Sequence, residues 1–339
     1  MKLGIFKGFV SGVDSYELYI KACQDLKVDY EVIDIISSSW LDNVSKSSCD
    51  GYLVRPTPRY DVWKRMFDER LYFVANKLNK LIYPSFDEMF MYENKRLMAY
   101  YLKSRGIPHP QTHVFYDRAE ALAFLETTAY PVVFKTHLGA TGTGVEILRS
   151  KRQAERLVRR VFSIGYGRKI RVSLWGLLEH KIIVNGLDPA YYFERDYKVA
   201  LLQEYIPAVA EWRMIRIGDS YFGHQKLRRG QFHSGSGLVN WIRPPDSLLR
   251  LTKEICDAGP FGSMSLDVLE DEKGRYYVNE LQSVFGSYDP SQMYVDGKPG
   301  RFLFNVKTNS WDWEEGYFNQ NGSCNLRVLH LLDIIKGNS

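Results

Sequence analysis

A run of glycines held between two β-branched strands constrains this chain more than any other feature. Val132-Val133-Phe134-Lys135 precedes Gly139-Ala140-Thr141-Gly142-Thr143-Gly144, and Val145-Glu146-Ile147-Leu148 follows. Short apolar runs on both sides make the glycines the tip of a β-hairpin. Turns that run from strand into helix rest an anion on the helix dipole, which a hairpin tip lacks. This loop offers backbone N–H groups, the hydroxyls of Thr141 and Thr143, and the Lys135 ammonium at its base. Its three glycines let the backbone close over phosphate groups without Cβ clashes. A surface hairpin that is merely rich in glycine has the same composition, so the loop alone leaves both readings open.

A second hairpin carries acids. Ser265-Leu266-Asp267-Val268-Leu269-Glu270 leads through Asp271-Glu272-Lys273-Gly274 into Arg275-Tyr276-Tyr277-Val278-Asn279-Glu280-Leu281-Gln282. A four-residue turn at Asp271–Gly274 would pair Glu270 with Arg275 and set Asp267 opposite Val278. Asp267, Glu280 and Gln282 then project from one face. Two carboxylates and an amide oxygen are hard donors suited to Mg²⁺. The flanking Leu266, Val268, Tyr277 and Leu281 point to a half-buried sheet, where carboxylates need a partner. A solvated face that carries two acids is the plainer alternative.

The rest of the chain alternates short strands with helices, which implies βαβ units and a parallel sheet over residues 1 to about 85. Strands are expected at Leu3–Phe6, Tyr30–Ile35 and Gly51–Arg55, and helices at Ser15–Leu26 and Val62–Leu78. The turn after the first strand, Lys7-Gly8-Phe9-Val10-Ser11-Gly12, lacks the dinucleotide-binding glycine pattern. Longer strand patterns begin at Leu201–Ile206 and continue at Trp212–Ile217 and Ser220–Leu227. The 339 residues are 45% hydrophobic, enough for two or three lobes that share a site. A net charge of +5, with basic groups scattered among 40 acids, suits an anionic small substrate and argues against nucleic acid. The four cysteines have no paired spacing, which excludes a zinc ribbon. Nothing approaches the ~18 consecutive apolar residues of a membrane span. Met1–Phe6 enters a strand pattern with no signal-peptide core, so a cytoplasmic location is expected.

The ordered motifs resemble the ATP-grasp superfamily, including D-alanine–D-alanine ligases, carboxylate–amine ligases and ribosomal-protein glutamate ligases. They are Asn94-Lys95-Arg96, then Gly106-Ile107-Pro108-His109-Pro110-Gln111-Thr112, Tyr130–Lys135 with Gly139–Val145, Leu202-Gln203-Glu204-Tyr205-Ile206, and the acidic hairpin, over roughly residues 85–285. The resemblance implies a mixed α/β and α+β architecture. It comprises an αβα pre-ATP-grasp lobe (residues 1–90), a central lobe with a glycine flap (91–200) and a C-terminal lobe with the metal hairpin (201–339). It implies that ATP and Mg²⁺ are used to join a small-molecule or sugar carboxylate to an amine through an acyl-phosphate, with a homodimer as the candidate assembly.

The same resemblance assigns roles residue by residue. Lys95 and Lys135 would hold phosphates, together with Gly139, Thr141, Gly142, Thr143, Gly144 and Val145 of the flap. Gln203, Glu204, Tyr205 and Ile206 would line the adenine pocket, and Glu211 would meet the ribose. Asp267, Glu280 and Gln282 would bind metal. Arg213, Lys226 and Arg228 would face the triphosphate and substrate. Two positions depart from the family pattern: Gln282 replaces an asparagine, and Ser265 stands where peptide-forming members carry arginine. The oxyanion donor would then be Arg213, Arg228 or the Gln231–Gly237 loop. Val278–Gly286 resembles ATP-grasp proteins of surface-polysaccharide synthesis; Trp311 and Trp313 offer either a stacking surface for sugar rings or, as is more common for such aromatics, core packing. Two rivals remain: a regulatory nucleotide binder without turnover, and a dinucleotide-dependent oxidoreductase.

Overall fold

The computed structural model describes residues 1–9, 15–56, 60–136, 144–167, 195–228, 230, 237–259, 261–285 and 293–337. Gly139, Thr141, Gly142 and Thr143 of the flap lie outside them, as do Gln231–Ser236.

Four parallel strands, β1 (Lys2–Lys7), β2 (Asp29–Asp34), β3 (Gly51–Leu53) and β4 (Ile82–Tyr83), form a sheet in the order β2-β1-β3-β4. The apolar runs of β1, β3 and β4 are buried on both faces, as a parallel sheet requires, and the edge strand β2 is more exposed. Leu3, Ile5 and Leu53 pack toward α1 (Glu17–Asp25). Phe6, Tyr52 and Val54 pack on the other face with α3 (Asp61–Asn76) and Val44 of α2 (Trp40–Lys46). This is the expected αβα arrangement. The short α2 lies between the second and third strands.

Next come α4 (Phe86–Met91), started by a Ser85–Glu88 capping box, and α5 (Lys95–Ser104), started by Asn94, whose side chain accepts the Leu97 N–H. A second, antiparallel sheet contains β5 (Thr112–Phe115), β6 (Val132–Lys135), β7 (Val145–Leu148) and β10 (Ala200–Glu204), in the order β5-β10-β6-β7. Between β7 and β10 lies the small pair β8 (Tyr166–Gly167) and β9 (Arg195–Asp196). Helices α6 (Arg118–Thr127) and α7 (Lys151–Ser163) bury Ala121, Leu125, Ala154, Leu157, Val158 and Val161 in one core with Phe134 and Leu202 of that sheet. The glycine run therefore joins two antiparallel strands, and no helix receives it.

The third sheet is the largest. It holds β11 (Ala208–Ile217), β12 (Ser220–Lys226), β13 (Val239–Asn240), β14 (Ser263–Asp271), β15 (Tyr276–Gln282), β16 (Tyr294–Val295), β17 (Lys298–Asn305) and β18 (Ser310–Glu315). The path is β15-β14-β11-β12-β17-β16, with β13 on β12 and β18 on β17. Helix α8 (Asp246–Ala258) packs on it through Leu248, Leu249 and Ile255. Trp311 is 8% exposed, edge-on to Tyr221 and Phe304, and Trp313 packs on Phe302. Of the two expected roles Trp311 thus has core packing, the commoner one, because the β17–β18 hairpin folds both indoles onto the sheet.

Helix α9 (Cys324–Lys336) returns to the first sheet, where Val328, Leu331 and Leu332 join the core of Leu3 and Tyr19. Arg327 on α9 donates through Nε to Ser263 Oγ at 2.9 Å. Glu88 on α4 accepts the Ser263 N–H at 2.7 Å. The beginning of β14 is therefore fixed by hydrogen bonds from elements that pack on the first sheet.

The acidic hairpin differs from its expected register. The ladder pairs Glu270 with Tyr276, not Arg275, and Asp267 with Glu280, not Val278. The loop has three residues because the Asp271 N–H bonds to Arg275 O at 3.1 Å and Gly274 takes the left-handed conformation (φ +71°). A bulge then inserts Asn279 opposite the Asp267–Val268 step. Each change shifts the register by one residue, so together they preserve the face: Asp267, Glu280 and Gln282 still share a side.

Candidate functional site

Four elements converge on Asp267. It is 3% exposed in the middle of β14. Arg213 on β11 stands directly opposite in the ladder and donates Nε to Oδ1 at 2.9 Å and a terminal nitrogen to Oδ2 at 3.0 Å. Lys226 at the end of β12 reaches Asp267 Oδ2 at 2.5 Å and Glu211 Oε1 at 2.7 Å. The alternation of β11 explains the gathering: Trp212 and Met214 enter the core, and Glu211 and Arg213 point to the other side. Burial alone would raise the Asp267 carboxyl. The positive charges of Arg213 and Lys226 outweigh it and hold the group well below the usual carboxylate range. Burial likewise disfavours the Arg213 cation, yet Asp267 holds it above its ordinary value.

Glu280 faces Asp267 across the β14–β15 ladder. Lys95, in the first turn of α5, lies 3.6 Å from Glu280 Oε1. The Asn94 cap fixes where that turn begins, and Met98 on the same helix accepts the Leu281 N–H through its sulfur at 3.2 Å. Gln282 donates Nε2 to Glu280 Oε1 at 2.8 Å, and its own Oε1 is buried without a hydrogen-bond partner. Lys135 ends β6 opposite Val145 at the neck of the flap. Its ammonium donates to Asn279 Oδ1 at 2.8 Å, a partner absent from the sequence reading. Burial pushes the Lys135 ammonium down to about 8, with Glu280 opposing the shift and Lys95 adding to it.

Gly144 closes the neck. Its carbonyl accepts the Thr136 N–H at 2.9 Å, and its φ is +83°. A Cβ there would come within 2.0 Å of Thr136 Oγ1, so only glycine fits.

Gln203 and Glu204 lie in β10 between β5 and β6; Gln203 donates to Thr112 Oγ1 at 2.8 Å, and Glu204 accepts the Gln111 N–H at 3.2 Å. Tyr205 and Ile206 form the short link between β10 and β11, where Ile206 O accepts the Ala208 N–H at 2.8 Å. Arg228 lies outside the charged cluster: it is exposed past β12 and donates to Gly230 O at 2.9 Å. The structure thus gathers Lys95, Lys135, Glu211, Arg213, Lys226, Asp267, Glu280 and Gln282, and leaves Arg228 apart. Asn279 was overlooked because strand alternation turns it away from Glu280. Its one sequence signal is an asparagine inside a β-rich run, a residue type depleted in strands.

Among the described residues no group of three or more His, Cys, Asp and Glu side chains could hold a metal ion. A divalent cation would instead draw on two carboxylates and an amide. The orphaned Gln282 Oε1 beside Glu280 fits that role. Asp267 would share its oxygens with Arg213 and Lys226. No helix among the described residues is long and apolar enough to cross a membrane.

The sequence matches no family model. Solved structures similar to this chain include D-cycloserine synthetase DcsG, with 16% identity and a TM-score of 0.58 over 99% of this chain and 100% of that one. D-alanine–D-alanine ligase from Bacillus anthracis, solved with ATP, has 13% identity and a TM-score of 0.57 over the whole of both chains. A RimK-domain ATP-grasp protein from Sphaerobacter thermophilus has 16% identity and a TM-score of 0.52 over 84% of this chain and 91% of that one. This chain has the ATP-grasp fold.

Proposed function

We propose that this ATP-grasp chain is an ATP- and Mg²⁺-dependent ligase that joins a carboxylate to an amine, releasing ADP and phosphate. The observation that carries the reading is the meeting of Lys95, Lys135, Arg213 and Lys226 with Asp267, Glu280 and Gln282 in one cluster. Four cations around three oxygen-donor side chains suit a polyphosphate and the divalent ion that accompanies it. The D-alanine–D-alanine ligase solved with ATP and the D-cycloserine synthetase support a ligase reaction.

In this reading Lys95 and Lys135 neutralise phosphate oxygens, and Gln203 to Ile206 line the adenine pocket. Asp267, Glu280 and Gln282 would hold Mg²⁺, which supplies charge neutralisation on the transferring phosphoryl group when bound. A substrate carboxylate oxygen attacks the γ-phosphorus, and the bond to the bridging oxygen breaks toward ADP. The amine then displaces phosphate from the acyl-phosphate and loses a proton to give the amide. Arg213 stabilises the developing oxyanion. The flap that rises from the Lys135–Val145 neck excludes water from the acyl-phosphate. The likeness of Val278–Gly286 to surface-polysaccharide proteins favours a sugar carboxylate as one substrate.

A regulatory nucleotide binder is favoured by one observation: both Asp267 oxygens are taken by Arg213 and Lys226. ADP release from Mg-ATP over a panel of carboxylates, sugar acids included, and amines separates the two readings. Turnover that needs both substrates supports the ligase. Tight Mg-ATP binding with no turnover on any pair supports the regulator.

A further inference from the structure

Alternation from Val278, which faces the core with Val268, puts Asn279 on the Asp267 side of the sheet. In an unbroken ladder its side chain would leave the sheet opposite to Glu280. The bulge between Val278 and Glu280 removes it from the pairing: Val278 faces Val268, Glu280 faces Asp267, and Asn279 faces neither. Bulges beside active sites characteristically re-aim one side chain. Here the bulge keeps Glu280 on the same side as Asn279, and the Asn279 Oδ1 meets the Lys135 ammonium at 2.8 Å. The bulged strand is held from outside by the Val278 N–H, which donates to Pro108 O at 2.8 Å.

The partner's chemistry matters as much as its place. Lys135 is 8% exposed, so its ammonium needs hydrogen-bond acceptors inside the protein. Glu280, the next residue on β15, is engaged by Lys95 at 3.6 Å and by Gln282 at 2.8 Å. A carboxylate on Lys135 would cancel its charge, whereas an amide oxygen orients the ammonium and leaves the charge in place.

We infer that Asn279 is a positioning residue for nucleotide binding: its amide, at the bulge, fixes the flap-neck lysine to the metal hairpin without neutralising it. The inference rests on the reading of Lys135 as a phosphate ligand. It makes the flap and the hairpin one unit at this point, with Asn279 as the link between β6 and β15.

A double-mutant cycle on Mg-ADP affinity, measured by titration calorimetry on the full chain, tests this. Asn279→Ala should weaken Mg-ADP about three- to tenfold in the wild-type background and less than about twofold in Lys135→Ala. Asn279→Asp, which keeps the shape and adds a charge, should weaken it more than Asn279→Ala while the thermal midpoint holds. This near-isosteric variant keeps the test decisive should Asn279→Ala not fold. Equal losses in both backgrounds, or an Asn279→Asp protein with wild-type affinity, would overturn the inference and leave the nucleotide reading intact. Unchanged affinity in Lys135→Ala alone would overturn that reading, and the inference with it.

Discussion

The five-residue stretch Ser263–Asp267 of β14 has a buried carboxyl at each end, Glu88 against Ser263 and Asp267 itself, and the two behave in opposite ways. At Ser263 the seam to the first sheet places Glu88, 1% exposed, against the N–H groups of Ser263 and Ser85. Burial pushes that carboxyl up to about 7 despite those bonds. At Asp267, as deeply buried, Arg213 and Lys226 drive the carboxyl far down. Burial is common to both, so the partner decides the charge. At the seam Glu88 itself meets the neutral N–H groups of Ser263 and Ser85. The site is built from opposed charges that a polyanion and a cation can rearrange.

The largest expected effect comes from making the site resemble the seam. Asp267→Asn removes the charge that compensates Arg213 and Lys226, and should cost about 3–5 kcal/mol of stability. Urea unfolding measures it, and a loss below about 1 kcal/mol would show that the charges do not hold this part of the sheet. The seam gives a smaller effect with a distinct pH signature. Because the folded-state pKa of Glu88 is raised from 4.5 to about 7, the folded chain binds the proton more tightly than the unfolded one. Its contribution to stability is present below about pH 4.5 and is lost as pH rises to about 7, by about 2–3 kcal/mol. Glu88→Gln should remove that share of the slope. An identical slope in the variant would mean that Glu88 titrates normally. The flap neck, held by backbone geometry and not by charge, should respond least. Gly144→Ala forces a Cβ toward Thr136 at φ +83° and should cost about 1–2 kcal/mol. Faster amide exchange at Thr136 would locate the damage, and unchanged exchange would argue against it.

The parts of this molecule set by local pattern were legible in the sequence. Strands β6 and β7 occur where the β-branched runs lie, because turn signals bound them on both sides. The acidic face was read from alternation, although two register shifts of one residue each had to cancel for it to hold. Neither shift is visible locally, since a left-handed Gly274 and a bulge at Asn279 are settled by the whole sheet. The Arg213–Asp267 pair is a contact across 54 residues, fixed by which strand lies beside which. Alternation within β11 says that Arg213 leaves the core face, and no more. The packing partner of Trp311 was hidden for the same reason: it depends on a hairpin folding back onto β12 through β17.

This cluster, as proposed, binds a nucleotide through the flap-neck lysine. Calorimetric titration of Mg-ATP into the wild-type chain and into Lys135→Ala tests it most directly. The account predicts saturable one-site binding to the wild type, and affinity at least about tenfold weaker in the variant with its fold intact. Equal affinity in the two proteins, or no binding to either, would contradict it.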